Sequence, residues 1–197
     1  MRKQLITAFL YTIVTTLLLG IAYPLGITLI AHFLMRSNAD GQLITSNGVV
    51  IGSRLIGQAF TGPGYFHSRP SAAGTGYDAA NSSGSNLGPT NAALITRMRR
   101  SVQALQAVRP AVAVPIDLVT TSASGLDPDI TPAAAEYQVP RVARERGLTE
   151  KEVESLVQSH IEPRQFGILG ELRVNVLELN LSLNQFTTPR VEPPPSK

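Results

Sequence analysis

The chain contains no cysteine. That absence excludes a disulfide framework, a thiolate metal site and a lipoprotein-type cysteine anchor. Charge is missing from a second place. Between Gln4 and Met35 there is no Asp, Glu, Lys or Arg, and His32 is the one side chain in the run that can take up a charge near neutral pH. A third absence is lysine, which does not occur between Lys3 and Lys151. The formal charge of +3 comes from Arg2, Lys3 and Arg36, because the other fourteen basic residues equal the fourteen acidic ones in number. A soluble part without net charge lacks the electrostatic footprint of a nucleic-acid binder.

The uncharged run is longer than the roughly 20 apolar residues that cross a bilayer core as a helix. It also exceeds the roughly 7–15 residue apolar core of a secretory signal. A retained anchor is therefore expected over residues 1–36, although Ser37-Asn38-Ala39 offers a small-x-small cleavage site. Pro24 is expected to bend the helix. Arg2 and Lys3 precede the span directly, which favours a cytoplasmic N-terminus and an extracytoplasmic remainder. Ala8, Thr12, Thr16 and Gly20 recur every four residues as a small-residue stripe that would let a partner helix approach closely. The alternative is that these threonines satisfy carbonyls of their own helix.

Residues 37–188 read as a soluble α/β (α+β) domain with a small sheet and several helices. Gln42–Thr45 and Val49–Ile51 flank Ser46-Asn47-Gly48, a strong hairpin signal. Leu55–Phe60 is expected to add a third short strand. The polar run 61–88 has no periodicity, but Tyr65, Phe66 and Tyr77 give it anchors to bury. A helix is expected from Pro89 to Val108, with Leu94, Met98, Val102 and Leu105 on one stripe. Thr131-Pro132 reads as a helix start, Pro140 as its end or kink, and Gly147 as a C-terminal stop after the pattern resumes. Thr149-Glu150-Lys151-Glu152 is a capping-box sequence opening a further helix, with Val153, Leu156 and Val157 inward. Residues 174–186 fit a strand and a helix equally, and the proline-rich tail 189–197 is expected to be disordered.

The run SSGSNLGPTN (82–91) invites comparison with a phosphate cradle. A P-loop ends in Gly-Lys-Ser/Thr, whose lysine neutralises phosphate charge. Here Gly88 is followed by Pro89 and Thr90, with no lysine nearby. The run reads instead as a rigid loop, with Gly88 taking a special backbone angle and Pro89 starting the helix. Asp127 and Asp129 are too few for a calcium loop. His32, His67 and His160 have no ligand spacing. No Gly-x-Ser-x-Gly elbow is present. Gln138, close to Pro140, Arg141 and Arg144, is a candidate ligand contact.

Several blocks occur together in order: GSRLIGQAF (52–60), YFHSRPSAA (65–73), SSGSNLGPTN (82–91), VPIDLVTTSASGLDPDIT (114–131), QVPRVARERGL (138–148) and LGELRVNVL (169–177). With the N-terminal membrane helix, they make the chain resemble the C-subunit (KdpC) family of the bacterial Kdp potassium-transporting P-type ATPase, over about residues 5–186. The resemblance implies a non-catalytic accessory subunit in the inner membrane. Its implied partners are a channel-like potassium-translocating subunit, a P-type ATP-hydrolysing subunit and a small single-helix subunit. ATP and K+ would be handled by the complex, with no cofactor or metal held by this chain. The family is also described as raising the ATP affinity of the hydrolysing subunit through a glutamine, and Gln138 is the matching position. A periplasmic domain could exert that effect only through the membrane subunits. The candidate contact residues are Ala8, Thr12, Thr16 and Gly20 on the helix, and Asn86, Pro89, Asn91, Asp127 and Asp129 on the loops. Ala123, Asp129 and Leu172 depart from the family pattern, where glycine, histidine and proline are expected. The rival reading is a generic membrane-anchored periplasmic adaptor or a pseudopilin-like protein.

Overall fold

The structure is a computed structural model that describes residues 1–187. The tail 189–197 lies outside the described residues. The chain divides into two units, residues 1–53 and residues from 54 onward.

In the first unit, helices α1 (Arg2–Leu17) and α2 (Tyr23–Leu34) join through a π-turn at Leu18–Ala22. Together they form 33 residues of continuous helix with mean hydropathy 2.1, long and apolar enough to cross a membrane. Pro24 cannot donate to the carbonyl four residues before it, and the irregular turn absorbs that lost bond immediately upstream. A one-turn helix α3 (Arg36–Ala39) follows. Then β1 (Leu43–Ser46) and β2 (Val49–Ser53) pair antiparallel. Their turn places Asn47 at φ 51° and Gly48 at φ 77°, the left-handed pair that a two-residue hairpin requires.

The second unit is built on four α-helices and a three-stranded sheet. Helix α4 (Ala92–Val108) comes first, then β3 (Asp129–Ile130), α5 (Pro132–Arg146) and α6 (Glu150–Ser159). Strands β4 (Ile161–Glu162) and β5 (Arg173–Asn175) lead into α7 (Val176–Thr187). The sheet order is β3-β5-β4, antiparallel throughout, with Val174 paired to Ile130 on one side and Ile161 on the other. Val139, Val142 and Ala143 of α5, Val153, Leu156 and Val157 of α6, and Leu179 and Leu183 of α7 close one core around Phe66.

Local chemistry sets the helix ends. Thr131 Oγ1 accepts from Ala134 N at 3.3 Å, and Gly147 stops α5 at φ 66°. Thr149 and Glu152 form the reciprocal capping box, with Thr149 N donating to Glu152 Oε2 at 2.8 Å.

Four expectations are corrected. Leu55–Phe60 is no strand: Leu55 is exposed, and Gly57 N turns to donate to Leu126 O at 2.8 Å. Helix α4 begins at Ala92 rather than Pro89, because Asn91 is the cap and accepts from Ala93 N at 2.8 Å. Gly88 has ordinary φ, and Asn86 takes the left-handed angle at φ 50°. Pro140 does not end α5, which runs through it to Arg146. The carbonyl it leaves without an intrahelical donor, Glu136 O, receives the Arg109 guanidinium at 3.4 Å instead. The ambiguous residues 174–186 divide between the two readings, Val174–Asn175 ending β5 and the rest forming α7.

The long polar loop is stitched to the loop before β3. Ser83 N donates to Ser124 O at 2.9 Å and Ser71 Oγ to Gly125 O at 2.6 Å. The approach is so close that a Cβ on Gly125, at φ 69°, would sit 2.5 Å from Ser83 O and 2.7 Å from Ala73 N. A Cβ on Gly84 would lie 2.8 Å from Ala123 O. Gly125→Ala is expected to cost more than about 2 kcal/mol, from strain plus forced separation of the loops. Urea denaturation of the detergent-solubilised chain checks this, with Gly88→Ala, which meets no neighbour and has no left-handed backbone angle, costing less.

Candidate functional site

After a turn at residues 62–65, residues 66–70 run through the second unit without joining a sheet. Buried peptide groups need partners, and here side chains provide them. Asn180 of α7 accepts from Phe66 N through Oδ1 at 2.8 Å and donates through Nδ2 to Phe66 O at 2.9 Å. Gln138 of α5 does the same for the next residue. Its Oε1 accepts from His67 N at 2.8 Å and its Nε2 donates to His67 O at 3.1 Å. Successive peptide pairs of an extended chain point in opposite directions, so the two helices grip this one from either side. The arginines of α5 extend the hold. Arg141 donates to Pro63 O and to Tyr65 O, and Arg146 Nε donates to Gly64 O at 2.7 Å. The Arg146 guanidinium also lies over the Tyr65 ring, 4.5 Å from its centroid.

Gln138 is only 4% exposed, and its amide is fully engaged. Besides His67, Nε2 donates to Ala134 O at 3.1 Å and Oε1 accepts from Arg141 at 2.7 Å. His67 closes its own loop through Nε2 to Gly62 O at 3.0 Å. Burial pushes the His67 pKa down, opposed by the Gly62 carbonyl and reinforced by the Arg141 charge.

The acidic candidates also face inward. Asp127 pairs with Arg69 at 3.0 Å and caps the turn by accepting from Asp129 N at 3.1 Å. Asp129 pairs with Arg173 at 3.2 Å and accepts from Asn175 Nδ2 at 3.1 Å. Burial raises the Asp129 pKa, against the pull of Arg173, and the neighbouring Asp127 charge adds to the rise. Arg173 also holds Glu162 at 2.7 Å, and Arg54 bridges Glu162 to Glu178, the latter at 3.0 Å. This network ties residue 54 to β3, β4, β5 and α7. By contrast Asn86, Pro89 and Asn91 are exposed. Among the described residues no cluster of three or more His, Asp or Glu side chains could hold a metal ion.

On the anchor helix, Thr12 Oγ1 donates to Ala8 O at 2.9 Å, Thr7 Oγ1 to Lys3 O at 2.9 Å and Thr15 Oγ1 to Tyr11 O at 2.8 Å. These hydroxyls satisfy their own helix. The stripe therefore offers close approach, with Gly20 lacking any side chain.

Sequence reasoning singled out Gln138 but missed Asn180, Arg141 and Arg146. Asn180 left a trace: it is a polar residue on the face shared by Val176, Leu179 and Leu183, all buried. A lone amide on an apolar helix face needs a buried partner.

Taken together, these features define an α/β protein with one N-terminal helix long and apolar enough to cross a membrane, whose buried polar residues brace loops. The chain belongs to the KdpC family, described as the K+-transporting ATPase c chain, whose profile matches residues 5–185. Curated relatives carry the name potassium-transporting ATPase KdpC subunit. That of Koribacter versatilis is 60% identical, covering 93% of this chain and 95% of its own length. That of Acidobacterium capsulatum is 58% identical, covering 93% and 98%. That of Rhodopseudomonas palustris is 53% identical, again covering 93% and 98%.

Two outcomes follow from the clamp. Asn180→Ala leaves both peptide groups of Phe66 unpaired in the core and is expected to cost about 3 kcal/mol. The same change at exposed Asn81 should stay within about 0.5 kcal/mol; denaturation midpoints of the two variants decide. The second concerns pH. The folded-state pKa of His67 lies below its unfolded value of about 6.5, so the unfolded chain takes up the proton first as pH falls. Its contribution to stability is complete above about pH 6.5 and is lost below it. Melting temperature should therefore decline from pH 7 to pH 5, and His67→Gln should flatten that decline. An unchanged slope in the variant would contradict the assignment.

Proposed function

We propose that this chain is a non-catalytic accessory subunit of an ATP-driven potassium uptake complex, anchored by its N-terminal helix and stabilising the assembly. The observation that supports this most is the anchor itself. None of its residues in the most apolar stretch is buried within the chain, so the helix face is available to lipid and to a neighbouring helix. The 60%-identical relative is named as a subunit of a potassium-transporting ATPase, which supplies the context. The partners are a channel-like potassium-translocating subunit, a P-type ATP-hydrolysing subunit and a small single-helix subunit. The ATP-hydrolysing centre is on the second of these, and K+ passes through the first. The N-terminus is cytoplasmic and the second unit periplasmic, in keeping with Arg2 and Lys3 before the span.

In this reading Ala8, Thr12, Thr16 and Gly20 dock against the channel-like subunit by close packing. The loops carrying Asn86, Pro89, Asn91, Asp127 and Asp129 form the extracytoplasmic contact surface, with the two aspartates shaping it from beneath. Gln138 acts as a positioning residue. It fixes His67 and the start of the loop surface, and any change in ATP affinity of the hydrolysing subunit is transmitted through the membrane partners rather than by contact with nucleotide.

Replacing both Thr12 and Thr16 with leucine fills the stripe while keeping the helix apolar. Recovery of the channel-like subunit with the tagged variant from potassium-starved membranes should fall at least several-fold. Undiminished recovery would remove the stripe as the interface.

A further inference from the structure

The segment around His67, α5 and the C-terminal end of α4 line a cavity of about 540 Å³. One part of its wall is aliphatic, from Leu105, Val108 and Leu118. The other part is cationic. Arg69, Arg109, Arg141 and Arg144 all line it, and no aspartate or glutamate does.

Two of these cations are answered elsewhere, Arg69 by Asp127 at 3.0 Å and Arg144 by Glu145 at 3.1 Å. Arg109 and Arg141 have no carboxylate within ion-pair distance among the described residues. Arg109 donates to Tyr137 O at 2.9 Å and Glu136 O at 3.4 Å, and lies over the Tyr137 ring. Arg141 donates only to carbonyls and to the Gln138 amide. Burial lowers its pKa, opposed by the nearby Glu145 charge and reinforced by Arg144. Arg69 adds a buried Nε that has no acceptor. A guanidinium is a rigid, weakly hydrated fork suited to the edge of a carboxylate or phosphate. A cavity combining apolar walls with a few such groups has the make-up of a small-molecule site, and its volume falls within the usual range of about 300–1,000 Å³.

We propose that this cavity binds a small amphiphilic oxyanion, its carboxylate or phosphate head held by Arg109 and Arg141 and its apolar body lying against Leu105, Val108 and Leu118. A soluble phosphate ester and the headgroup region of an anionic lipid both present this chemistry.

The full chain in phosphatidylcholine nanodiscs, titrated calorimetrically with hexyl phosphate in about 0.5 M salt to screen surface charge, tests the proposal. Hexyl phosphate should bind at least tenfold more tightly than inorganic phosphate or hexanol, since each supplies only half of the complement. Val108 is 58% exposed, so Val108→Glu should leave the melting temperature unchanged while placing a carboxylate at the site. It should weaken binding at least tenfold, as should Arg109→Gln. Repeating the titration in phosphatidylglycerol nanodiscs identifies the source: lost binding means that lipid already fills the site, and retained binding means a soluble anion. No binding of hexyl phosphate in phosphatidylcholine nanodiscs, equal binding of inorganic phosphate, or binding unaffected by both substitutions would overturn the proposal.

Discussion

The second unit depends on two side-chain amides doing the work of neighbouring strands. An amide presents a donor and an acceptor spaced much like those of a peptide, so Asn180 and Gln138 each complete one residue of an extended segment that has no sheet to join. Leaving such groups unmade in the interior would cost about 1–3 kcal/mol apiece. The alternation of Phe66 toward α7 and His67 toward α5 means that one segment fastens both helices. It also buries Phe66 completely at the centre of the core. Everything that follows in the chain, including the polar loop and one wall of the arginine-lined cavity, starts from this fixed point.

The loops beyond it are rigid for a different reason. Ser71 and Ser83 donate across to the 124–125 backbone, Ser122 braces that loop from within, and Gly84 and Gly125 let the backbones approach within the space a methyl group would occupy. The run SSGSNLGPTN is thus shaped by contact with residues about forty positions later. Gly84 answers to that contact, while the special backbone angle expected of Gly88 is taken by Asn86.

This explains which features were legible in the sequence. The Asn47-Gly48 turn, the Thr131 and Thr149 caps and the Gly147 stop depend on neighbours within a few residues, and all four are present as read. The family was legible because ordered blocks are a long pattern. What escaped was set by distant partners. Pro140 would break an isolated helix, but Arg109 supplies a donor from another element. Leu55–Phe60 has strand composition, yet its backbone is claimed by Leu126. Residues 174–186 carry both periodicities because β5 passes directly into α7. Gln138 was noticed as a possible ligand contact, while the amide bonds it makes to His67 span 71 positions in sequence and leave no local mark.

The most direct test of the clamp is native-state hydrogen exchange of the Phe66 and His67 amides in the full chain. Both residues lie outside every helix and strand, and the loop tip at Gly76 provides an exposed reference. The account predicts that the two amides exchange on the slow timescale of Val142 in the buried face of α5, opening only with the global unfolding of the unit. Exchange at the rate of the loop tip would show that the amide clamps are not held in solution, and the account would fail.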